Sequence, residues 1–484
     1  MRASKLSLGL LLMLALTGCK LGPKYARPAV DLPGGFRGEA PALDTPAPDK
    51  IGSPTESLGD AKWAEVFRDP TLQQLIREAL ANNSDVKIAA QRVLEEQDAV
   101  GITRSQQFPT VGGGGSYTAL GIPNSLLSGL NSGSSSNGSS GGESRYYAGG
   151  ITLSAAWNLD FWGQYRRQTE AARAQLLATE WGRRMILSTV VENVATAYFQ
   201  LRTLDTELEI TKQTLEARKE SLQLTEALEQ GGSATLADVR QAEELRYAAA
   251  AAIPNLERQI EQEENSISIL LGRNPGPIAR DTTVMNWPQP EPIPAGIPSQ
   301  LLERRPDIQQ AEAKLVAANA NVGAAKAQLF PQLSLSAEGG TYSNQLKALV
   351  DSKSMLWMAS GNLTQIIFDA GRLHNNLRLS EAQKQEQVIT YQRTIRQAFQ
   401  NVSDALIGLQ KYREYREQEA KVTAAAEDAA RLAKLRYNAG STSYLEVLTN
   451  DSNYYSAQLN LAVAQEQEAL SIVQLYSALG GGWQ

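Results

Sequence analysis

Two hydrophobic periods run through this chain. Over residues 151–160 apolar and polar positions alternate, with Ile151, Leu153, Ala155, Trp157 and Leu159 against Thr152, Ser154, Ala156, Asn158 and Asp160. The same two-residue period sets Leu333, Leu335, Ala337 and Gly339 against Gln332, Ser334, Ser336 and Glu338, and Met355, Trp357, Ala359 and Leu363 against Ser360, Asn362 and Thr364. A fourth segment, 110–118, is glycine-rich (Gly112 to Gly115) and gives the weakest strand signal. About ten alternating residues is the length of a tilted transmembrane β-strand with one face toward lipid. A pair of hairpins in a soluble sandwich fits the alternation equally well.

The second period is 3.5. Leu187, Val191, Val194, Tyr198 and Leu201 recur at spacings of four and three, and Leu208 and Leu215 follow by sevens. Ile395, Phe399, Val402, Leu406 and Leu409 repeat the stripe in register. Such a stripe packs helices along a left-handed seam. The pattern predicts two uninterrupted helices, 163–230 and 372–438. At 1.5 Å per residue, about 67 residues would reach about 100 Å, far beyond an ordinary globular helix.

These stripes belong to a duplication. Adding 208 carries Asn193, Val194, Ala197 and Leu201 onto Asn401, Val402, Ala405 and Leu409, and Gly232-Ser233 onto Gly440-Ser441. Upstream an offset of 222 carries Asp85 onto Asp307 and Phe108-Pro109 onto Phe330-Pro331. The change of offset falls where the first copy has a longer Gly/Ser-rich loop. Each copy reads helix, strand, loop, strand, very long helix, turn, helix. The first spans 63–272: helix 70–107, strands 109–118 and 146–160 around an exposed loop 119–145, and helices 163–230 and 236–271. The second spans 298–484, with helix 298–329, strands 331–342 and 354–369, and helices 372–438 and 444–479. A linker, 273–297, joins them. Four strands cannot close a barrel, which needs about eight, and open edges are not tolerated in lipid. If the strands cross a membrane, several chains must pool them.

The N-terminus is a targeting segment. Arg2 and Lys5 precede an apolar run, Leu6 to Leu16, too short to span a bilayer. Leu16-Thr17-Gly18-Cys19 then resembles a bacterial lipobox, making 1–18 a lipoprotein signal peptide and Cys19 the lipidated first residue of the mature chain. Lys20 is not the aspartate of an inner-membrane retention signal, which favours the outer membrane.

Composition narrows the chemistry further. The 484 residues contain one cysteine and one histidine. That excludes an internal disulfide, a cysteine-based zinc site and a two-histidine metal motif. The net charge of −6 argues against nucleic acid as a partner. His374 has no visible nucleophile or second ligand. Gly112 to Gly115 lacks the Lys-Ser/Thr of a phosphate loop. Glu303 and Asp307 could be read as a carboxylate pair, but the repeat sets Asp307 opposite Asp85 in a capping or packing role. No catalytic constellation emerges, so the expectation is a non-enzyme without a cofactor beyond the lipid on Cys19.

Several stretches resemble the TolC-like outer membrane factors, in particular the lipoprotein branch that includes OprM and NodT. They are Cys19 to Pro28, the run 292–340, the junctions Trp157 to Gly163 and Phe368 to Arg372, and Arg436 to Leu448. The resemblance implies a homotrimer with a twelve-stranded outer-membrane β-barrel continued by a twelve-helix periplasmic coiled-coil barrel. It implies a girdle including 19–62 and 273–297. It also implies a passive conduit that exports drugs or solvents delivered by an inner-membrane pump, of the RND type, and a periplasmic adaptor. Protein (type I) secretion or metal-ion efflux are the alternative cargoes on the same fold. Members of the family close the tunnel tip with acidic rings and ion pairs. By match, Glu446, Arg436 and Tyr437 are gate candidates, with Asp238 as the first-copy counterpart of Glu446. Acids also suit a helix start on electrostatic grounds alone. A second family acid falls on Thr449, a departure that puts a second ring in doubt. The turns Gly232-Ser233 and Gly440-Ser441 are candidate adaptor contacts, although glycine is also what a helix C-terminus requires.

Overall fold

The computed structural model describes residues 20–31, 33–38, 57–123, 143–280, 298–345, 347, 349 and 351–483. The expected signal peptide 1–18, Cys19, most of the expected linker and the middle of the 119–145 loop lie outside the described residues. The helices are α1 (Trp63–Val66), α2 (Pro70–Asn82), α3 (Ser84–Ser105), α4 (Gln164–Gln230), α5 (Leu236–Leu270), α6 (Pro298–Arg304), α7 (Pro306–Ala327), α8 (Arg372–Asn438) and α9 (Tyr444–Ala478). The strands are β1 (Thr110–Pro123), β2 (Glu143–Leu159), β3 (Gln332–Ser343) and β4 (Met355–Thr364).

Two sequence expectations need correction. The helices expected at 70–107 and 298–329 are each broken. Asn83 and Arg305, at matching positions of the two copies, cause the breaks. The Asn83 side chain accepts from Asp85 and Val86 N–H, capping α3, and its amide donates to Leu270 O at 2.8 Å. Pro306 removes a backbone donor after Arg305, and Arg305 Nη1 donates to Ala478 O at 2.7 Å while its fork grips Asp307. Leu270 and Ala478 are themselves 208 apart, so both copies close the same clasp. Asp307 therefore has a structural partner. The hairpin is also longer than the pattern predicted: β1 and β2 pair out to Pro123 and Glu143, taking in both ends of the expected loop.

The chain divides into two compact units, each drawing on both copies. The first holds residues up to 27, 95–176 and 313–388. Its sheet is antiparallel in the order β1-β2-β3-β4, and among the described residues one edge of β1 and one of β4 are unpaired. Directly opposed residues share a face, so the register sorts the strands. Val111, Ala155, Ala337 and Ala359 line up on one side, as do Leu159, Leu333 and Leu363; Thr110, Ala156, Ser336 and Ser360 line up on the other. The sheet has one apolar and one polar face. An N-terminal strap packs on this unit: Arg167, buried, donates to Leu21 O at 2.8 Å and Gly22 O at 3.3 Å, and Asn319 donates to Pro23 O. Gly22 has φ of +103°, and a Cβ there would lie 2.4 Å from the Gly323 backbone.

The second unit holds 28–94, 177–312 and 389–484. Its core is the 3.5-residue stripe: Val191, Val194, Tyr198 and Leu201 are buried against Leu72 and Ile76 of α2, Ile267 of α5 and Val473 of α9. Each such side chain contributes about 1.5–3 kcal/mol of burial. Asp69 caps α2 through Thr71 and Leu72 N–H and also accepts the Tyr198 hydroxyl at 2.7 Å. In the second copy Ile395 and Val402 are fully buried, and Phe36 packs against Phe399.

Candidate functional site

The candidate residues gather where α4 turns into α5 and α8 into α9. Both turns are Schellman motifs. Gly232 and Gly440 adopt φ of +75° and +70°, and Ser233 and Ser441 N–H donate back to Leu228 O and Arg436 O. The positive φ explains each glycine by backbone chemistry alone. A Cβ at either would meet nothing within 4 Å, so both turns present open surface.

Arg436 Nη1 donates to Glu446 Oε1 at 2.6 Å, the Thr442 hydroxyl donates to Glu446 Oε2, and Ser441 binds back to Arg436 O. Both partners of the ion pair are well exposed. Tyr437 instead turns inward: its ring lies 5.2 Å from that of Tyr444, beside Leu222, Val239 and Leu448. Burial pushes the Tyr437 hydroxyl above its ordinary pKa of 10.0, and the negative charge of Asp238 pushes it further. Asp238 is the N3 member of a capping box. Its carboxylate accepts from Thr235 N–H at 2.9 Å and from the Thr235 hydroxyl, and Thr235 caps Asp238 N–H in return. The Thr449 hydroxyl bonds within its helix, to Leu445 O at 2.8 Å.

The strongest tie at this end escaped sequence reasoning. Arg218 is buried; its Nε donates to Asp451 Oδ2 at 2.9 Å, Nη1 donates to Leu245 O at 3.0 Å, and its guanidinium lies 5.2 Å over the Tyr455 ring. One side chain thus joins α4, α5 and α9. Nearby, Tyr444 Oη and Ser221 Oγ are 2.8 Å apart, and Tyr455 Oη and Thr211 Oγ1 are 3.0 Å apart. These bonds fasten the first helical hairpin to the second. Thr211, Arg218 and Thr225 follow Val190, Ala197 and Leu204 by sevens, at a heptad position beside the stripe read from sequence, and are buried although polar. Buried polar groups need partners, and those that Arg218 and Thr211 find on α9, Asp451 and Tyr455, lie more than 230 residues away.

A sheet with one apolar and one polar face, whose outer edges are unpaired among the described residues, together with very long heptad helices, fits a membrane channel whose strands are pooled between chains. The comparisons with known proteins agree. The family model described as "Outer membrane efflux protein" matches residues 75–273 and 297–481, one match per copy. The solvent efflux pump outer membrane protein SrpC of Pseudomonas putida is 35% identical over 99% of this chain and 98% of its own length. The cation efflux system protein CusC of Escherichia coli is 33% identical, covering 97% of each. The solved structure of the outer-membrane channel OprN superposes with a TM-score of 0.84 at 29% identity, over 96% of this chain and 100% of that one. The chain belongs to the outer membrane efflux protein family. It is an efflux channel component of the outer membrane, not an enzyme, and the family works in tripartite systems with a periplasmic adaptor and an inner-membrane pump.

Proposed function

We propose that three copies of this chain pool their strands into a twelve-stranded barrel and form a passive conduit for small toxic organic molecules. The observation that carries this is the two-faced sheet with both edges unpaired, since lipid requires those edges to be closed. Cys19 carries the lipid anchor. The strap supports that reading, because it holds Leu21 and Gly22 against the start of α4, directly after the strands. The tip formed by Arg436, Glu446, Tyr437, Asp238 and Arg218 is the gate, and Gly232-Ser233 and Gly440-Ser441 are the adaptor contacts. An inner-membrane pump of the RND type supplies the energy. Kinship with a solvent efflux protein favours organic cargo; the cation efflux relative keeps metal ions as the second reading, with protein secretion third. Deleting the gene from its host tests this. Sensitivity to toluene and hydrophobic antibiotics is expected, and sensitivity confined to copper or silver would overturn the cargo assignment.

A further inference from the structure

The polar face of the sheet is almost chargeless. Along the described residues of β1 to β4 it carries hydroxyls, amides, glycines and a few apolar groups, and its only charged side chain is Glu338. Register places Glu338 level with Ser154 on β2 and Met358 on β4, and with Gly112 one strand further.

That lone carboxylate is held in place. Tyr342, two turns of the pleat along the same strand and on the same face, donates its hydroxyl to Glu338 Oε1 at 2.6 Å. The tyrosine has room because Gly150 lies beneath its ring: a Cβ at position 150 would lie 2.8 Å from a ring carbon. The glycine is thus a seat for the tyrosine, and the tyrosine is a brace for the glutamate. Gly112 and Gly340, on the same face, add no side chain that could cover the carboxylate.

We propose that Glu338 is the charge-selecting residue of the barrel lumen, with Tyr342 as its positioning residue, and that the conduit prefers cationic over anionic solutes. This rests on the trimeric barrel proposed above. Threefold symmetry turns Glu338 into three carboxylates at one height, on a wall with no other fixed charge among the described residues of its strands. Fixed rings of one sign set ionic preference in a pore. The field is screened over about 10 Å at 0.1 M salt and about 3 Å at 1 M, so the preference grows on dilution. Organic cations are the cargo class this ring favours.

The test uses the purified full-length protein in planar bilayers under a KCl gradient. In Glu338→Gln the cation-to-anion permeability ratio should fall by about twofold or more at 0.1 M salt and change little at 1 M. Tyr342→Phe should fall part of the way, while Glu446→Gln, outside the barrel, separates any contribution of the tip. Conducting Glu338→Gln channels with an unchanged ratio would overturn the proposal. Cysteine accessibility separates this from failure of the barrel itself. Glu338→Cys should react with charged, membrane-impermeant thiol reagents and lose conductance, whereas Ala337→Cys on the opposite face should not. Equal reaction at both positions would sink the barrel reading and the selectivity proposal together.

Discussion

Arg218, not Glu446, should dominate closure of the helical tips. Arg218 is 6% exposed, and its guanidinium makes two hydrogen bonds and a ring contact to three other residues. A hydrogen bond to a charged group contributes about 1.5–3 kcal/mol, and a cation over a ring about 0.5–2 kcal/mol. Asp451 is about one-third exposed and rehydrates when released, which discounts the loss in Arg218→Ala to about 2–3 kcal/mol per protomer. The Arg436–Glu446 pair is exposed on both sides, and such pairs contribute about 0.2–1 kcal/mol. A factor of ten in an equilibrium corresponds to about 1.4 kcal/mol. In the proposed trimer, with the three protomers responding together, Arg218→Ala would shift the closed-to-open ratio by about four orders of magnitude or more, and Glu446→Gln by about two at most. Lysine at 218 should rescue poorly, because an ammonium cannot fork between Asp451 and the Leu245 carbonyl. Single-channel conductance in planar bilayers reads the opening. A double-mutant cycle of Arg218→Ala with Asp451→Asn isolates the pair. A closed-state conductance unchanged in Arg218→Ala, or a larger effect from Glu446→Gln, would refute the ranking.

Two further outcomes are expected. Gly340→Ala would place a Cβ 2.1 Å from Ile151 O and 2.8 Å from Thr152 Cα, both backbone atoms that can yield only by opening the β2–β3 ladder. It should cost at least about 1–3 kcal/mol and lower the yield of heat-resistant oligomer on gels, whereas Gly113→Ala, where a Cβ meets only Thr152 O at 3.9 Å, should not; equal yields would refute the close approach. Glu207, Glu263 and Glu466 all have carboxyls pushed above their ordinary value of 4.5, first by burial, with Glu466 acting on Glu207 and Glu263 on Glu466. The folded protein therefore holds protons that the unfolded chain releases, so stability falls as pH rises from about 4.5 into the raised range. Glu466→Gln should raise the melting temperature at pH 7 and flatten that slope, and a melting temperature below that of the wild type would count against the burial argument.

The sequence by itself determined the duplication, the two long helices and the sheet faces. It did so because their causes are periodic: a side chain's partner face recurs every 2 or 3.5 residues, and a repeat shows itself by alignment. The match of Gln164–Gln230 and Arg372–Asn438 to the expected spans follows from that regularity. Lengths of β1 and β2 were understated because a run of Gly, Ser and Asn reads as loop, while cross-strand pairing extended both strands to Pro123 and Glu143. The helix breaks at Asn83 and Arg305 were hidden too, since each break is stabilised by a carbonyl at the far end of another helix, Leu270 or Ala478. The candidate tip divided in the same way. Arg436 and Glu446 meet across a short turn and could be paired from their positions. Asp238, the first-copy counterpart of Glu446, is engaged by its own cap at Thr235. Arg218 became legible only when α4, α5 and α9 were brought together, because nothing in a local pattern says which distant carboxylate a buried guanidinium will find. Local periodicity fixes what a segment becomes; only packing between segments decides which polar groups leave water, and therefore which of them hold the tip and which stand alone on a wall.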